Sequence, residues 1–253
     1  MHFIDTHTHI FLDEFDADRS TVVTTAIAEG ISKMILPNVD LETLTALNQT
    51  IGLFPNNLFP TIGLHPCSVR PEFKNDLTVL HNMLQQGKYI AIGETGLDLY
   101  WDKTFYKEQV EALEEQVKWA LEYDLPIILH CRETTAQTIE IVSKYKKLRG
   151  VFHAFSGAVD DAKKVIDLGY SIGIGGVVTF KNSGLDKIVE QLPLSSIILE
   201  TDAPYLTPTP YRGKRNEPIY ITLIAKKLSD IYNCSIEEIA EITTSNAEKL
   251  FCI

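Results

Sequence analysis

The sequence lacks the long apolar stretches and leader segments that mark membrane and secreted proteins. Among its 253 residues, no apolar run approaches the roughly 20 residues that a membrane span needs. Met1–Asp5 contains no basic region followed by a long apolar region, so no signal peptide is expected. We therefore expect a protein that has no membrane partner.

Cysteine is scarce and scattered. The four cysteines, at positions 67, 131, 234 and 252, show no Cys-x-x-Cys spacing. This pattern argues against a disulfide framework and against a thiolate zinc site. A reducing, cytoplasmic setting is the expectation that follows.

Basic residues are outnumbered. The chain has 23 Lys and Arg against 34 Asp and Glu, a formal net charge of −11. A broad basic surface that binds nucleic acid without specificity is therefore not expected. A small acidic pocket whose charge is reversed by bound cations is still compatible with an anionic substrate.

The chain also lacks Gly/Ser linkers, low-complexity segments and short repeats, so residues 1–253 are expected to form one domain. What recurs is a short apolar run followed by a helical stretch. The runs are continuously apolar, as in Met34–Leu36 and Ile127–Leu129, which is typical of parallel strands buried on both faces. The predicted strands are Phe3–His9, Lys33–Val39, Leu58–Pro66, Tyr89–Asp98, Pro126–Arg132, Gly150–Phe155, Tyr170–Gly176 and Ile197–Tyr205. The predicted helices are Asp18–Glu29, Asp76–Gln86, Thr104–Tyr123, Thr135–Lys147, Asp160–Leu168, Leu185–Leu192, Ile219–Tyr232 and Ser235–Phe251.

Eight strands that alternate with helices in about 250 residues predict an α/β protein, a (β/α)8 TIM barrel with extra C-terminal helices. The alternative is a doubly wound open sheet, which would need a glycine-rich phosphate turn after an early strand. The nearest glycine cluster, Gly173-x-Gly175-Gly176, lies late and opens no helix with that spacing. The barrel is therefore preferred.

Polar residues collect at the predicted strand ends, where the functional side chains of such barrels lie. His7 and His9 are two apart, so in a strand they point to one face and form half of a metal site. Further imidazoles and carboxylates end the fourth, fifth, sixth and eighth strands. They are Glu94, His130, His153 and Asp202. His2 and His81 lie away from these ends and are assigned no role.

Each of these residues alone has a structural explanation, but together they would place four imidazoles and two carboxylates in one cavity. Buried carboxylates without a partner are costly, so a metal centre is favoured. The set exceeds a single tetrahedral site and predicts two divalent ions bridged by Glu94. His7, His9, Glu94 and Asp202 are predicted to hold one ion, and Glu94, His130 and His153 the other. Imidazole and carboxylate ligands suit Zn, Mn, Fe or Co, with Mg as a further possibility.

The remaining polar residues are interpreted as substrate contacts. His65 and Arg132 are predicted to hold phosphate oxygens, although Arg132 can instead pair with Glu133 or Glu94. Glu200 lies two residues before Asp202 and is predicted to orient a ligand or a water. Asp202 can also serve as the base that takes the proton of the nucleophile.

Two further groups are open to two interpretations. Three aromatic residues can stack a base or sugar at the mouth, or simply pack: Tyr100, Trp101 and Tyr205. Three basic residues can steer a phosphodiester, or form a solvated loop: Arg212, Lys214 and Arg215.

In the predicted strand ends that carry the candidate metal ligands and substrate contacts, the chain resembles the TatD family of metal-dependent deoxyribonucleases, in the amidohydrolase-like barrel superfamily. The resemblance spans nearly the whole sequence. The matching motifs are Asp5-Thr6-His7-Thr8-His9, Gly63-Leu64-His65-Pro66, Gly93-Glu94-Thr95-Gly96-Leu97-Asp98, Leu129-His130-Cys131-Arg132, Phe152-His153-Ala154-Phe155-Ser156-Gly157, Leu199-Glu200-Thr201-Asp202-Ala203-Pro204-Tyr205-Leu206 and Arg215-Asn216-Glu217-Pro218.

The resemblance implies a cytoplasmic barrel enzyme that cleaves DNA, as an exonuclease, with divalent metals. It implies the same metal-ligand roles and supports His65 as a phosphate contact. In the wider superfamily a carboxylated lysine often occupies the bridging position, whereas this chain has Glu94 there. The alternatives are an ester or amide hydrolase, such as a D-aminoacyl-tRNA deacylase, and a barrel that only binds.

Overall fold

Eight short parallel strands line the core, and each is followed by a helix. The structure is a computed structural model that describes residues 1–253. The strands are β1 (Phe3–Asp5), β2 (Ile31–Leu36), β3 (Leu58–Pro60), β4 (Ile92–Asp98), β5 (Ile127–Arg132), β6 (Gly150–Phe152), β7 (Ser171–Ile174) and β8 (Ile197–Leu199). The helices are α1 (Arg19–Ala28), α2 (Leu44–Leu53), α3 (Phe73–Gln86), α4 (Tyr106–Glu122), α5 (Thr135–Val142), α6 (Val159–Asp167), α7 (Leu185–Val189), α8 (Ile221–Tyr232) and α9 (Ile236–Phe251).

The strands pair in sequence order and form a ring. β1 to β3 pair in one parallel run and β4 to β8 in another. A parallel bridge between Ile62 and Ile92 joins the first run to the second, and a bridge between Thr8 and Ala203 joins the last strand to the first. The predicted (β/α)8 barrel is therefore confirmed.

Alternate strand residues fill the inside of the barrel beneath the mouth. Ile128, Val151 and Ile198 belong to one buried cluster, and each lies two residues before His130, His153 or Glu200. Because strand residues two apart share a face, this apolar layer supports the polar layer above it. The opposite end is closed by α9, whose Leu250 and Phe251 join the same cluster.

Several elements end earlier than predicted, among them the strands predicted at 58–66, 150–155 and 197–205, so His65, His153 and Asp202 follow β3, β6 and β8. Three further differences concern the first strand and the helices. The predicted first strand, Phe3–His9, ends at Asp5, so His7 and His9 follow β1 rather than belonging to it. Helix α2 was not predicted, although Leu44 and Leu47 are buried along it. Helix α8 follows β8 as the eighth barrel helix, which leaves α9 as the one additional C-terminal helix.

None of the helices combines the length and the apolar character that a membrane crossing requires.

Candidate metal centre

The six predicted metal ligands meet around the carboxylate of Glu94, which lies on β4 and is buried. Its Oε2 lies 3.1 Å from His7 Nε2 and 3.6 Å from His9 Nε2. Its Oε1 lies 2.9 Å from His130 Nδ1 and 2.8 Å from His153 Nε2. Each oxygen of one carboxylate therefore faces a different pair of imidazoles.

Asp202 completes the group around Oε2. Its Oδ1 lies 3.5 Å from His9 Nε2 and 3.7 Å from His7 Nε2, and the two imidazole nitrogens are 3.1 Å apart. The two groups adjoin, since the ring of His7 stacks on that of His153 with centroids 3.9 Å apart. The donors thus form two neighbouring clusters that share Glu94.

Contacts between the end of β1 and the end of β8 position the first cluster, which is the one around Glu94 Oε2. The Asp5 carboxylate accepts hydrogen bonds from the backbone N–H of His7 and from both the N–H and the hydroxyl of Thr201. The Asp202 N–H donates to the His7 carbonyl at 2.8 Å. Asp5 therefore has a structural role and holds the two strand ends that carry the ligands.

Asp98 at the end of β4 belongs to the site, although sequence reasoning gave it no role. Its Oδ2 lies 2.9 Å from His130 Nε2, while its Oδ1 accepts the backbone N–H groups of Tyr100 and Trp101. A carboxylate on the far nitrogen fixes the ring and tautomer of a metal-binding histidine and leaves the other nitrogen free to bind. The Gly-Leu-Asp of its motif was the available signal, but its pairing depends on the alignment of β4 with β5.

The carboxylates of the cluster are held in the ionised form. Burial opposes ionisation of Glu94, but the positive charge of His153 and a hydrogen bond from His130 keep its pKa well below the ordinary value. Burial also opposes ionisation of Asp202, but a hydrogen bond from His9 lowers its pKa. Ionised carboxylates are the form in which these groups bind metal.

The imidazoles divide into two types. Burial lowers the pKa of His7 and of His65, so both are neutral. Burial also opposes the proton on His153, but the negative charges of Glu94 and of the nearby Glu200 raise its pKa well above the ordinary value. The proton on His153 would therefore have to leave before His153 Nε2, the nitrogen that faces Glu94, could bind a metal.

The donor set fits divalent cations. In each of three sets of side chains, the nitrogen and oxygen donor atoms lie within 4.8 Å of one another, and such donors bind Zn, Mn, Fe or Co. The sets are His7 with His9 and Glu94, His65 with Glu94 and His130, and His7 with His153 and Glu200. His7 Nε2 lies 3.1 Å from both His9 Nε2 and Glu94 Oε2, so three atoms that bind metal through lone pairs converge as the ligands of a cation do.

His65 lies beside the second cluster, with Nε2 3.3 Å from Glu94 Oε1. Its Nδ1 accepts the backbone N–H of Cys67 at 3.0 Å. Since the ring is neutral, its proton is on Nε2, which makes His65 a donor toward the site rather than a metal ligand.

Arg132 reaches the mouth from the end of β5. Its guanidinium lies over the ring of Tyr100 at 3.7 Å and near that of Trp101 at 5.2 Å. It forms no ion pair, so the alternative of a bridge to Glu133 or Glu94 is wrong.

Glu200 is buried behind His153 rather than open to the mouth. Its side chain is 1% exposed, and its Oε1 accepts the N–H of Ala154 and lies 3.7 Å from His153 Nδ1. From this position Glu200 can orient His153, in keeping with the predicted orienting role, and it does not reach the open side of the site.

The predicted basic cluster after β8 is dispersed by local contacts. Arg215 donates to Asp18 and Glu217. Arg212 lies over the ring of Phe180, and Lys214 near that of Tyr211. Arg215 is thus occupied structurally and is not free to steer a substrate.

Residues 4–252 match the family described as "TatD related DNase". The chain belongs to the TatD family. It is 35% identical to the metal-dependent hydrolase YabD of Bacillus subtilis over 98% of both chains. It is also 33% identical to the metal-dependent hydrolase YjjV of Escherichia coli, over 98% of this chain and 97% of that protein.

The crystal structure of YjjV superimposes on this TatD-family chain with a TM-score of 0.93 and 32% identity, covering 99% of this chain and 98% of the other. Family membership classes the chain as a metal-dependent hydrolase and hence an enzyme. The family resemblance and the barrel fold inferred from the sequence are both confirmed.

Proposed function

We propose that this TatD-family hydrolase is a deoxyribonuclease that cleaves DNA phosphodiester bonds from a chain end, using a two-metal centre built on Glu94. The observation that carries the proposal is the division of the Glu94 carboxylate, with Oε1 2.8 Å from His153 and Oε2 3.1 Å from His7. A bridging carboxylate between two imidazole-rich clusters suits a pair of ions. A bound pair supplies an activated water and neutralises charge on the phosphoryl oxygens.

The first ion would be held by the residues around Glu94 Oε2, which are His7, His9, Glu94 and Asp202. The second ion would be held by the residues around Glu94 Oε1, which are Glu94, His130 and His153. Asp98 would orient His130, and Glu200 would orient His153.

Asp202 is the carboxylate placed to receive a proton. Its side chain is 13% exposed, against 3% for Glu94, so it borders the open side of the cluster. Being ionised, it can accept the proton of an attacking water. The same open side is bordered by His65 and His130, with side-chain exposures of 14% and 17%.

His65 and Arg132 would hold the phosphate. The Nε2–H of His65 is a neutral donor that lies 3.3 Å from Glu94 Oε1, on a side chain that borders the open side of the cluster. The guanidinium of Arg132 stacks through its face, which leaves its in-plane N–H groups available for phosphate oxygens. Both groups contact the substrate without binding metal.

The first test is digestion of an end-labelled single-stranded DNA oligomer with Mg²⁺ or Mn²⁺. We expect a ladder that shortens from one end, and loss of that ladder on addition of EDTA or in the variant Glu94→Gln. The matched control is Glu29→Gln, which removes an exposed carboxylate outside the site and should digest normally. Metal analysis should find two equivalents in the active protein and fewer in Glu94→Gln.

Failure to cleave DNA, in protein shown to carry bound metal, would overturn the nuclease proposal. Hydrolysis of an aminoacyl-tRNA or of a simple ester by the same protein would then support the alternative ester or amide hydrolase.

A further inference from the structure

Beside the metal centre, two exposed aromatic rings and a guanidinium form a stack at the mouth. Arg132 lies over Tyr100 at 3.7 Å, and the rings of Tyr100 and Trp101 meet edge to face with centroids 4.9 Å apart. Tyr100 is 50% exposed and Trp101 is 70% exposed. Most of the Trp101 indole is therefore open to a ligand.

Packing of the fold does not account for these two rings. Phe105 and Tyr106, a few residues further along, both pack against the main hydrophobic core, whereas Tyr100 and Trp101 do not. Covering the face of an exposed aromatic ring is favourable because it removes apolar surface from water. Every nucleobase has an aromatic face that can stack on such a ring.

Asp98 joins this stack to the metal centre. One of its oxygens lies 2.9 Å from His130 Nε2, and the other accepts the N–H groups of Tyr100 and Trp101 at 2.9 and 3.3 Å. Asp98 and Arg132 are also paired residues of the β4–β5 ladder. The Asp98 carboxylate thus positions both the stack and His130, a candidate metal ligand.

We propose that Trp101, with Tyr100 and Arg132, is the subsite for the nucleobase next to the scissile phosphate. The base stacks on Trp101, and Arg132 supplies the positive charge that the adjoining phosphate requires. A base in a duplex is already stacked and paired, so only an unpaired base can lie on this ring. The subsite therefore selects single-stranded ends, and the inference rests on the proposed nuclease function.

Binding tests the subsite without any cleavage. The chain has two tryptophans, and Trp119 is buried on α4, so the variant Trp119→Phe leaves Trp101 as the only tryptophan fluorophore. Metal-loaded Trp119→Phe protein would be titrated with deoxyadenosine 5′-monophosphate and with 2-deoxyribose 5-phosphate, neither of which has a phosphodiester to cleave. We expect saturable quenching by the nucleotide and none by the sugar phosphate. Equal responses, or no response to the nucleotide, would overturn the subsite.

Kinetics test its part in the reaction. For single-stranded oligomers, Trp101→Ala should raise KM about tenfold with kcat little changed, and Trp101→Phe should restore much of the loss. For an oligomer with abasic terminal residues, Trp101→Ala and wild type should have the same KM. Equal losses on both oligomers would show that Trp101 is only structural. If wild type cleaves neither oligomer while the nucleotide still quenches Trp101, the nuclease proposal fails and the base site stands.

Discussion

Glu94 is the residue on which both clusters depend, because each of its two oxygens faces its own imidazoles. It is 2% exposed and keeps its charge against burial through the neighbouring histidines. Its partners are in turn held from behind, His130 by Asp98 and His153 by Glu200. The precision of the site at residue scale therefore depends on these outer carboxylates as well as on the ligands.

Asp98→Asn should weaken metal binding by about 10- to 100-fold. The amide can still accept from the Tyr100 N–H, but its NH₂ would face His130 Nε2 and place the ring proton on Nδ1. That tautomer cannot bind a metal through Nδ1. Competition with a chromophoric zinc chelator would measure the change.

The control for this prediction is Asp102→Asn, in the same loop. The Asp102 carboxylate accepts only from Thr104 and lies outside the cluster. It should bind metal as wild type does. An unchanged affinity in Asp98→Asn would contradict the orienting role of Asp98.

Gly173→Ala should displace Glu200, because a Cβ at Gly173 would overlap the Glu200 carboxylate. We expect a loss of roughly 1–3 kcal/mol in the free energy of unfolding, together with lower metal content. Gly175→Ala is the matched control, since its Cβ would have Glu200 Cγ as its nearest atom, at an ordinary 3.6 Å. Urea denaturation of the two variants would compare them, and equal stabilities would refute the prediction.

At the scale of elements, the order of strands and helices could be predicted from the sequence, but their ends could not. Apolar runs such as Ile127–Leu129 mark a buried strand wherever they lie. The end of β1 at Asp5 depends on the side-chain contacts of Asp5 with Thr201, some 200 residues away. Helix α2 has weak helix formers, including Thr50 and Gly52, and is stabilised by packing that local propensity does not report.

The candidate site, like the fold, could be predicted from the sequence only in part. The ligand types were visible at the strand ends, whereas the pairing of Asp98 with His130 requires the β4–β5 alignment. The stacking of Arg132 on Tyr100, rather than an ion pair with Glu133, likewise depends on where the loop after β4 turns. The spacing of residues along the sequence therefore could not predict the contacts between different strands and loops.

Helix α9 closes the barrel at the end opposite the site, and Phe251 is its largest buried contact there. Phe251→Ala should lower the free energy of unfolding by about 3–5 kcal/mol, because it leaves a cavity under the strands. Urea denaturation would measure this loss. Leu53→Ala, which truncates a side chain that is 57% exposed, should change the stability by less than about 0.5 kcal/mol. Folded Phe251→Ala protein should retain its full metal content, and a loss of metal would mean that the two ends are coupled.

At the scale of the whole molecule, the net charge of −11 limits how the DNA of the proposed nuclease function could be bound. A chain with 34 acidic and 23 basic residues repels a polyanion at long range, so attraction has to come from the mouth itself. The basic side chains at that end are few, and Arg215 is already paired with Asp18 and Glu217. DNA binding should accordingly be local and should involve few phosphates.

The dependence of activity on salt tests this local binding. Each phosphate neutralised on a single strand contributes a slope of about −0.7 to a plot of log affinity against log salt. With Arg132 and at most two further cations engaged, log(kcat/KM) for a single-stranded oligomer should fall with a slope of about −0.7 to −2. Arg132→Ala should make that slope shallower by about 0.7. Lys146→Ala, an exposed lysine just before β6 at the far end of the barrel, should leave it unchanged. A slope steeper than about −4 would instead require a broad basic track, and the acidic surface offers none.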